Sequence, residues 1–400
     1  MLNPPIPKNE MERLIGLSDF DLDYSNLEHS FKDLTKLAAK VAGTNISLIN
    51  LLDSYTQWTI SSHGLGITQM PREESVCQYT IMNDDGFEIQ DLSKDERFKD
   101  RFYVKDDSKL RYYFGVPLKT NDGINIGALC VLDYTSKTIN PEKIELLKII
   151  SDEIVNRLTA LRIIESLKSK LSEATQTQKK VAHDIRGPIG GIIGLAQIIK
   201  EQGDDNKLDE VLEFINLIQK SGSSLLELAD EILSTDAKAV KLGNDEFNLV
   251  IFKDKLEKLY TPQSKTKNID FQIHVNSRVQ KTLFSKNKLL QITGNLISNA
   301  MKFTPQNGSI TVELDILRNI DDNNLHILVK DSGVGLNQES IDAILNGSAK
   351  STEGTQGENG YGFGLALVKH LVDSLHGQIK IYSKLGEGAI FEINLPRKAN

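Results

Sequence analysis

Short apolar runs separated by polar turns occupy the first 140 residues and predict strands. Two nearly continuous runs rich in strand-forming residues cover positions 46–52 and 126–132. Asn121-Asp122-Gly123 lies between the apolar segments 116–118 and 124–126, and such a tripeptide is typical of a hairpin turn. The pattern therefore predicts an antiparallel sheet in this part of the chain.

Residues 31–41 have helical spacing instead, with one face predicted from Leu34, Leu37, Ala38 and Val41. A helix beside an antiparallel sheet is an α+β arrangement. We predict one such domain over residues 21–160, preceded by an N-terminal segment of residues 1–20.

From Pro141 the apolar residues recur at steps of three and four, and no further Gly or Pro occurs before Gly187. A helical pattern of this length is typical of a coiled coil. Three consecutive steps of three between Leu158 and Leu167 shift the heptad phase. We predict a helical linker over residues 141–180, which overlaps the last helix of the first domain. Both a passive connector and a helix that transmits a signal fit this pattern.

Two heptad segments then flank the polar stretch 201–207 and predict an antiparallel helical hairpin over residues 181–236. The apolar positions are Val181, Ile185, Pro188, Ile192, Leu195 and Ile199 in the first helix, and Leu208, Val211, Ile215, Ile218, Gly222, Leu225, Ala229 and Ile232 in the second. One hairpin cannot bury so wide an apolar face. Two hairpins are therefore expected to form a four-helix bundle in a homodimer.

Composition narrows the class of protein. A chain of 400 residues is expected to form two or three domains, and 39% hydrophobic with 26% charged residues is typical of a soluble protein. No apolar run reaches the roughly 20 residues of a membrane span, and the first residues do not resemble a secretory signal. The two cysteines, Cys77 and Cys130, suit a reducing cytoplasm. A net charge of −8 without a basic block argues against nucleic-acid binding.

His183 and Asp184 form the first candidate catalytic pair. Neutral imidazole has a nucleophilic nitrogen near pH 7, and a neighbouring carboxylate can accept the proton on the other ring nitrogen. At 3.6 residues per turn His183 lies opposite the apolar positions Val181 and Ile185, so it is expected to point away from the bundle core. Such a pair is also common on ordinary helix surfaces, so it gains weight only from the rest of the chain.

A helix over residues 288–304 carries Asn295, Asn299 and Lys302 on one face. Its other face is apolar and suited to packing on a sheet, with Leu289, Ile292, Leu296 and Ala300. Amide oxygens are hard ligands for Mg²⁺, which bridges phosphates, and a lysine adds positive charge. This face predicts a metal–phosphate site.

Asp331 follows a predicted strand over residues 325–330 and is placed to accept a hydrogen bond from the amino group of adenine. Gly333 and Gly335 beside it allow close approach of the base to the backbone. A second glycine-containing loop, with Gly360, Gly362, Gly364 and Leu365, leads into a predicted helix and is suited to phosphates. The long polar segment 337–359 between them predicts a mobile lid.

Three family resemblances follow from these motifs. Residues 71–77, 89–98, 113–118 and 127–133 resemble a GAF domain, a sensor of small molecules or signals, whose ligand or chromophore is not defined by the motifs. His183, Asp184, Ile185, Arg186 and Pro188 resemble the dimerisation and phosphotransfer domain of sensor histidine kinases. The motifs of residues 245–397 resemble the catalytic ATP-binding domain of these kinases, an α/β sandwich of the Bergerat type shared with gyrase and heat-shock chaperones.

These resemblances imply the roles of individual residues. Asn299 is the implied Mg²⁺ ligand, Asn295 and Lys302 assist at the phosphates, and Asp331 recognises adenine. The implied pocket-shaping residues are Gly333, Gly335, Gly360, Gly362, Gly364 and Leu365. Gly187 departs from the family pattern, in which a Thr or Asn orients the water that removes phosphate from the partner regulator. The departure implies weak phosphatase activity.

The expected protein is a soluble, dimeric sensor histidine kinase of multidomain α+β fold that uses ATP and Mg²⁺. It would phosphorylate His183 and pass the phosphoryl group to the receiver domain of a response regulator on a separate chain. An alternative is a regulatory scaffold that senses a ligand through the GAF domain with little turnover. A third possibility, an ATP-driven clamp of the chaperone or topoisomerase kind, lacks the further domains that such machines need.

Overall fold

The computed structural model describes residues 5–105, 109–202, 208–234, 246–276, 284–285, 288–318, 323–346, 354–355 and 362–397. The chain forms two compact units, one of residues 1–162 with 247–400 and the other of residues 163–246. The first unit contains two sheets with their helices, so the predicted combination of α and β structure is confirmed.

An antiparallel sheet of six strands forms the N-terminal part of the first unit, as predicted. Its strands in chain order are β1 (Ile46–Leu52), β2 (Thr56–His63), β3 (Gln69–Pro71), β4 (Phe87–Ile89), β5 (Tyr112–Lys119) and β6 (Asn125–Asp133). Their spatial order is β3-β2-β1-β6-β5-β4, with every neighbouring pair antiparallel. The predicted turn at Asn121–Gly123 joins β5 to β6, and Gly123 adopts a φ of 81° that few other residues tolerate.

The described residues of this N-terminal part include four α-helices: α1 (Glu10–Ser18), α2 (Glu28–Ala42), and the short α3 (Cys77–Thr80) and α4 (Phe102–Lys105). Helix α2 confirms the helix predicted over residues 31–41, but the predicted face is partly wrong. Leu37 is exposed, whereas Phe31 and Thr35 are buried with Leu34 and Ala38. The buried face is the one on which Phe31, Leu34, Ala38 and Ala42 pack into the hydrophobic core, and the Thr35 hydroxyl contacts that of Ser61 in β2 beside them.

Helix α1 lies in the segment for which no structure was predicted. It buries Glu10 and Arg13, each only 1% exposed. The Glu10 carboxylate accepts hydrogen bonds from the Arg13 guanidinium at 2.8 Å and from Arg72 Nη1 at 2.6 Å. Burial alone raises the pKa of Glu10, but the two arginines outweigh it and lower the pKa from 4.5 to about 2. The ionised triad therefore fixes α1 to the sheet.

We expect Glu10→Gln to destabilise the chain by about 3–5 kcal/mol at pH 7, because two arginines are left buried without their carboxylate. The folded-state pKa is depressed, so the wild type has this stability above about pH 4.5 and loses it as the pH falls towards 2. Urea unfolding at pH 7, 4.5 and 3 measures both effects. Glu12→Gln, an exposed position on the same helix, should change little. Equal stability of the two variants at pH 7 would contradict the prediction.

The second sheet of the first unit is mixed. Its strands are β8 (Asp270–Val275), β10 (Ser309–Arg318), β11 (Asn323–Asp331), β12 (Gln378–Ser383) and β13 (Ala389–Arg397), while β7 (Glu246–Phe247) pairs with β9 (Phe284–Ser285). The order is β12-β13-β11-β10-β8, with β8 and β10 parallel and the other pairs antiparallel. The helices are α7 (Leu249–Lys267), α8 (Leu289–Phe303), α9 (Gln338–Leu345) and α10 (Gly364–Ser374).

One hydrophobic core extends from this second sheet into the N-terminal part of the unit. It contains residues of α7, α8, α10 and the sheet together with Leu14 of α1 and Trp58 of β2. The Trp58 ring meets Tyr260 of α7 edge to face, with ring centroids 5.8 Å apart. Because apolar burial is continuous here, the N-terminal part packs through side chains against α7 and the core that covers the second sheet.

The second unit contains the two predicted long helices, α5 (Pro141–Gln202, which begins in the first unit) and α6 (Leu208–Ser234). Helix α5 continues through Pro188. Large apolar side chains on both helices are exposed in the single chain, among them Leu171, Ile193, Leu212, Ile215 and Leu226. None of the described helices, long as α5 is, combines the length and the apolar composition required to span a membrane.

Candidate functional site

Helix α8 brings Asn295, Asn299 and Lys302 together on one face, and all three are at most 7% exposed. The opposite face packs into the core through the four predicted apolar residues, each at most 2% exposed. Lys302 Nζ lies 4.7 Å from the centroid of the Phe303 ring. The predicted division of the helix into two faces is therefore present, but its polar face is also covered by protein.

The covering residues are Ser54 and Tyr55, in the turn between β1 and β2. The Ser54 hydroxyl donates to Asn295 Oδ1 in a short hydrogen bond, and the Tyr55 hydroxyl donates to Asn299 Oδ1 at 3.2 Å. Asn295 Nδ2 donates to the Gln291 carbonyl at 2.9 Å, which orients its amide. The sequence contains no signal for this contact, since the partners lie more than 240 positions apart.

Asp331 ends β11, where the sequence predicted it, and is 6% exposed. Its Oδ1 accepts from the backbone N–H groups of Gly333 at 2.8 Å and Ala389 at 3.2 Å. Burial raises the pKa of Asp331, and these two hydrogen bonds oppose the increase. Among the described residues no donor bonds Oδ2. A carboxylate oxygen of this largely buried residue that has no protein donor fits the exocyclic amino group of a purine.

The glycines near Asp331 are required by close backbone contacts. A Cβ at Gly333 would lie 2.5 Å from the carbonyl oxygen of Phe303. Gly335 has a φ of 70°, and a Cβ there would lie 2.0 Å from the carbonyl oxygen of Lys384. Gly388, which the sequence analysis did not select, is equally close to the Asp331 carbonyl. These contacts hold the loop after β11 against the loop after β12. They fix the position of the backbone beside Asp331.

The glycine-containing loop is described only from Gly362, so Gly360 lies outside the described residues. Gly362 has a φ of 80°, Gly364 begins α10, and Leu365 packs against the core. The predicted lid over residues 337–359 begins with a regular helix, α9. The Asn337 side chain caps this helix, because its Oδ1 accepts a hydrogen bond from the Ser340 N–H at 2.8 Å. Most of the rest of that segment lies outside the described residues.

Lys267 and Thr355 lie beside the predicted metal–phosphate site, and neither residue was predicted from the sequence. Lys267 Nζ donates to the carbonyl oxygens of Met301 and Lys302, at 2.8 and 3.0 Å, and to the Thr355 hydroxyl at 2.9 Å. The Thr355 N–H also donates to the Lys302 carbonyl at 3.2 Å. A lysine at a helix C-terminus satisfies free carbonyl groups there, and this one ties residue 355 to the end of α8.

His183, Asp184 and Gly187 lie within α5, in the unit of residues 163–246. Their side-chain surroundings fall outside what the structure describes, so the outward orientation predicted for His183 stays a prediction. The other predicted site residues with described positions all belong to the first unit.

Cys77 and Cys130 are buried side by side, with their sulfur atoms 3.9 Å apart. Asn50 Nδ2 donates to both sulfurs, at 3.3 and 3.2 Å, and the Tyr113 hydroxyl donates to Cys77. Burial raises the pKa of Cys130. Burial also acts to raise the pKa of Cys77, but its hydrogen bonds outweigh that effect and lower it. The pair is enclosed in the core of the six-stranded sheet.

Two family models match the chain. Residues 173–236 match the His Kinase A phospho-acceptor domain. Residues 285–399 match the histidine kinase-, DNA gyrase B- and HSP90-like ATPase. The chain carries the two domains of a histidine kinase. His183 lies inside the region that matches the phospho-acceptor domain, and Asn299 and Asp331 lie inside the region that matches the ATPase.

Curated proteins are similar to parts of this chain. The autoinducer 2 sensor kinase/phosphatase LuxQ of Vibrio vulnificus is 32% identical over 225 residues, covering 54% of this chain and 26% of that protein. A cyclic di-GMP phosphodiesterase of Pseudomonas aeruginosa is 38% identical over 133 residues, covering 33% of this chain and 23% of that protein. The chain thus spans about a quarter of the length of these relatives.

Among solved structures, the catalytic domain of the histidine kinase ThkA covers 38% of this chain and 94% of its own, at 24% identity. Its TM-score is 0.32, a likeness too low to support an assignment.

Proposed function

We propose that the chain is a sensor histidine kinase that transfers the γ-phosphoryl group of ATP to His183 and then to an aspartate of a separate response regulator. The main support is the order of the two matched domains along the chain, with the predicted phosphoacceptor inside the first and the predicted nucleotide residues inside the second. The proposal also includes a cytoplasmic location.

The residues of the ATPase domain fit a nucleotide with Mg²⁺. Asp331 would accept from adenine through its Oδ2, and the tight glycine contacts beside it leave no side chain in the way of the base. Asn299 would ligate Mg²⁺ through its amide oxygen, while Asn295 and Lys302 would bind phosphate oxygens. Phosphoryl transfer depends mainly on positioning and charge neutralisation, which the bound metal and these side chains would supply.

His183 would act as the nucleophile. Its neutral imidazole presents an unprotonated nitrogen to the γ-phosphorus, and Asp184 would accept the proton carried on the other ring nitrogen. The bond between the γ-phosphorus and the bridging oxygen breaks as the nitrogen–phosphorus bond forms, leaving ADP. Weak phosphatase activity, attributed to the missing side chain at Gly187, remains part of the proposal.

We propose that the six-stranded sheet belongs to a GAF sensor domain over residues 21–160, and that this domain receives the signal. Its support is the antiparallel order β3-β2-β1-β6-β5-β4 together with the motifs in the sequence. The helical linker of residues 141–180 would carry the signal to the hairpin of residues 181–236, and residues 245–397 would form the catalytic domain. Helix α5 runs without a break from the sheet into the hairpin, which suits this role.

Incubation of the full chain with γ-labelled ATP and Mg²⁺ tests the kinase. Phosphohistidine is expected, recognised by label that is lost in acid and kept in base. Binding of a fluorescent ATP analogue is measured on the same preparation. Binding without any label would favour the regulatory scaffold, and acid-stable label would contradict transfer to histidine.

We also propose a homodimer through residues 181–236, since several large apolar side chains of α5 and α6 are exposed in one chain. Ile215 is 48% exposed there. Ile215→Glu is expected to shift a micromolar dimer towards monomer, because dimerisation would bury an unpaired charge. Light scattering measures the mass, with Glu213→Gln on the same helix as the control. A monomeric wild type would refute the proposal.

A further inference from the structure

The turn between β1 and β2 contacts both sides of the proposed nucleotide pocket. On the side of α8, the Tyr55 hydroxyl donates a hydrogen bond to the proposed metal ligand, Asn299, at 3.2 Å. On the side of α10, the Tyr55 ring lies against Gly364, the first residue of that helix, and a Cβ at Gly364 would be 2.3 Å from the ring. Burial raises the pKa of Tyr55, so the hydroxyl stays protonated and donates. The ring therefore lies where metal and phosphates are expected.

Ser54 adds a second contact of the same kind. Ser54 is 1% exposed, and its hydroxyl donates a hydrogen bond to Asn295 Oδ1. Amide oxygens that accept from Ser54 and Tyr55 are not free to ligate a cation or its bound waters in the same geometry. Nucleotide with Mg²⁺ and the turn thus compete for the same two asparagines.

The turn is held rigidly in this position. Arg13 donates to the carbonyl of Leu52 at 2.6 Å, and Arg72 donates to the carbonyl of Asp53 at 3.1 Å. Both arginines are fixed by the buried Glu10 carboxylate. The Asp53 side chain accepts from the Ser54 N–H at 2.7 Å. A turn preorganised in this way loses little conformational entropy on docking, which favours the contact.

Polar contacts around the turn attach the N-terminal part to α7 and α8. Lys288 Nζ lies 2.9 Å from Asp19, and Lys255 forms a short ion pair with Asp23. Gln69 Nε2 donates to the Leu259 carbonyl at 2.9 Å, and Gln263 donates to Gln69 at 2.7 Å. Together with the Trp58–Tyr260 contact they form an extended interface, so the two asparagine contacts are not isolated.

We propose that this interface inhibits the kinase: the sensor part of the chain closes its own nucleotide pocket by inserting Ser54 and Tyr55. The inference rests on the proposed nucleotide role of Asn295 and Asn299. Nucleotide binds only to molecules in which the turn has left, so its apparent dissociation constant is raised by the inverse of the open fraction. A signal that moves β1 or β2 away from α8 activates the kinase.

The test measures the affinity of a fluorescent ATP analogue with Mg²⁺ for the full chain. Two variants open the interface in different ways. Tyr55→Ala removes the inserted ring, and the double variant Asp19→Lys with Asp23→Lys repels Lys288 and Lys255 without altering the pocket. Both are expected to bind at least tenfold more tightly than the wild type. Tyr134→Ala, at a tyrosine that is 44% exposed, is the control and should bind as the wild type does.

The opening variants release the turn, and a cross-link that holds the turn in the pocket tests the opposite change. Gln69→Cys with Gln263→Cys, joined by a short bis-maleimide, should prevent nucleotide binding, while the unlinked protein binds. The native cysteines are buried, and wild type treated with the reagent controls for them. Full binding by the linked protein would overturn the inference, as would equal affinity of the wild type and both opening variants.

Phosphohistidine is measured in parallel to separate the two proposals. Tighter binding in the opening variants without phosphohistidine in any protein supports the closed pocket and refutes the kinase. Phosphohistidine with equal affinity throughout supports the kinase and refutes the closed pocket. Absence of binding from the wild type and both opening variants refutes both.

Discussion

Replacement of His183 by alanine is expected to abolish phosphate incorporation from γ-labelled ATP. Alanine has no nitrogen nucleophile, so the variant lacks the proposed acceptor of the phosphoryl group. His183 belongs to α5 in the unit of residues 163–246, whereas the nucleotide residues belong to the other unit. Nucleotide affinity should therefore be unchanged while transfer falls to background.

The control is His29→Ala, an exposed histidine of α2 that should leave the label intact. Affinity for the fluorescent ATP analogue is measured on both variants, so that loss of transfer is not confused with loss of binding. Label retained by the His183 variant would show that another residue accepts the phosphoryl group. The proposed role of the phospho-acceptor domain would then be wrong.

Elements with a strong local pattern were predictable from the sequence. Helix α8 spans Leu289–Phe303 against a prediction of 288–304, and β11 ends at Asp331 as expected. In both cases one periodicity extends over the whole element, and burial of the apolar side is sufficient to fix it. The same holds for α6, whose apolar residues follow a heptad from Leu208 onwards.

Features that depend on distant residues were not predictable. Helix α1 is polar enough to suggest a loose terminus, and Glu10 is buried only because Arg72, 62 positions later, completes its ion pairs. Leu37 has helical spacing but points outward, because the face of α2 that packs into the core runs through Phe31, Leu34 and Ala38. Tyr55 and Ser54 resemble ordinary turn residues until the fold places α8 beside them.

Asn299→Ala is expected to reduce Mg²⁺-dependent ATP affinity by at least tenfold and to abolish transfer. The amide oxygen is the group proposed to hold the metal, and loss even of an indirect metal contact costs on the order of 10–100-fold. With EDTA in place of Mg²⁺ the variant should bind ATP at least as tightly as the wild type, because the metal contact no longer contributes to either protein. Asn394→Ala, at an asparagine that bonds Glu392 outside the pocket, is the matched control.

Asn299 also accepts the Tyr55 hydroxyl, so its removal has two opposing consequences. Loss of the Tyr55 contact opens the pocket and favours binding, whereas loss of the metal ligand weakens it. The two effects can be measured separately in a Tyr55→Ala background, where the turn no longer competes with the nucleotide for Asn299. There Asn299→Ala should show its full cost, larger than in the otherwise wild-type chain. If Mg²⁺-dependent affinity in that background does not depend on Asn299, the asparagine only anchors the turn and the metal has another ligand.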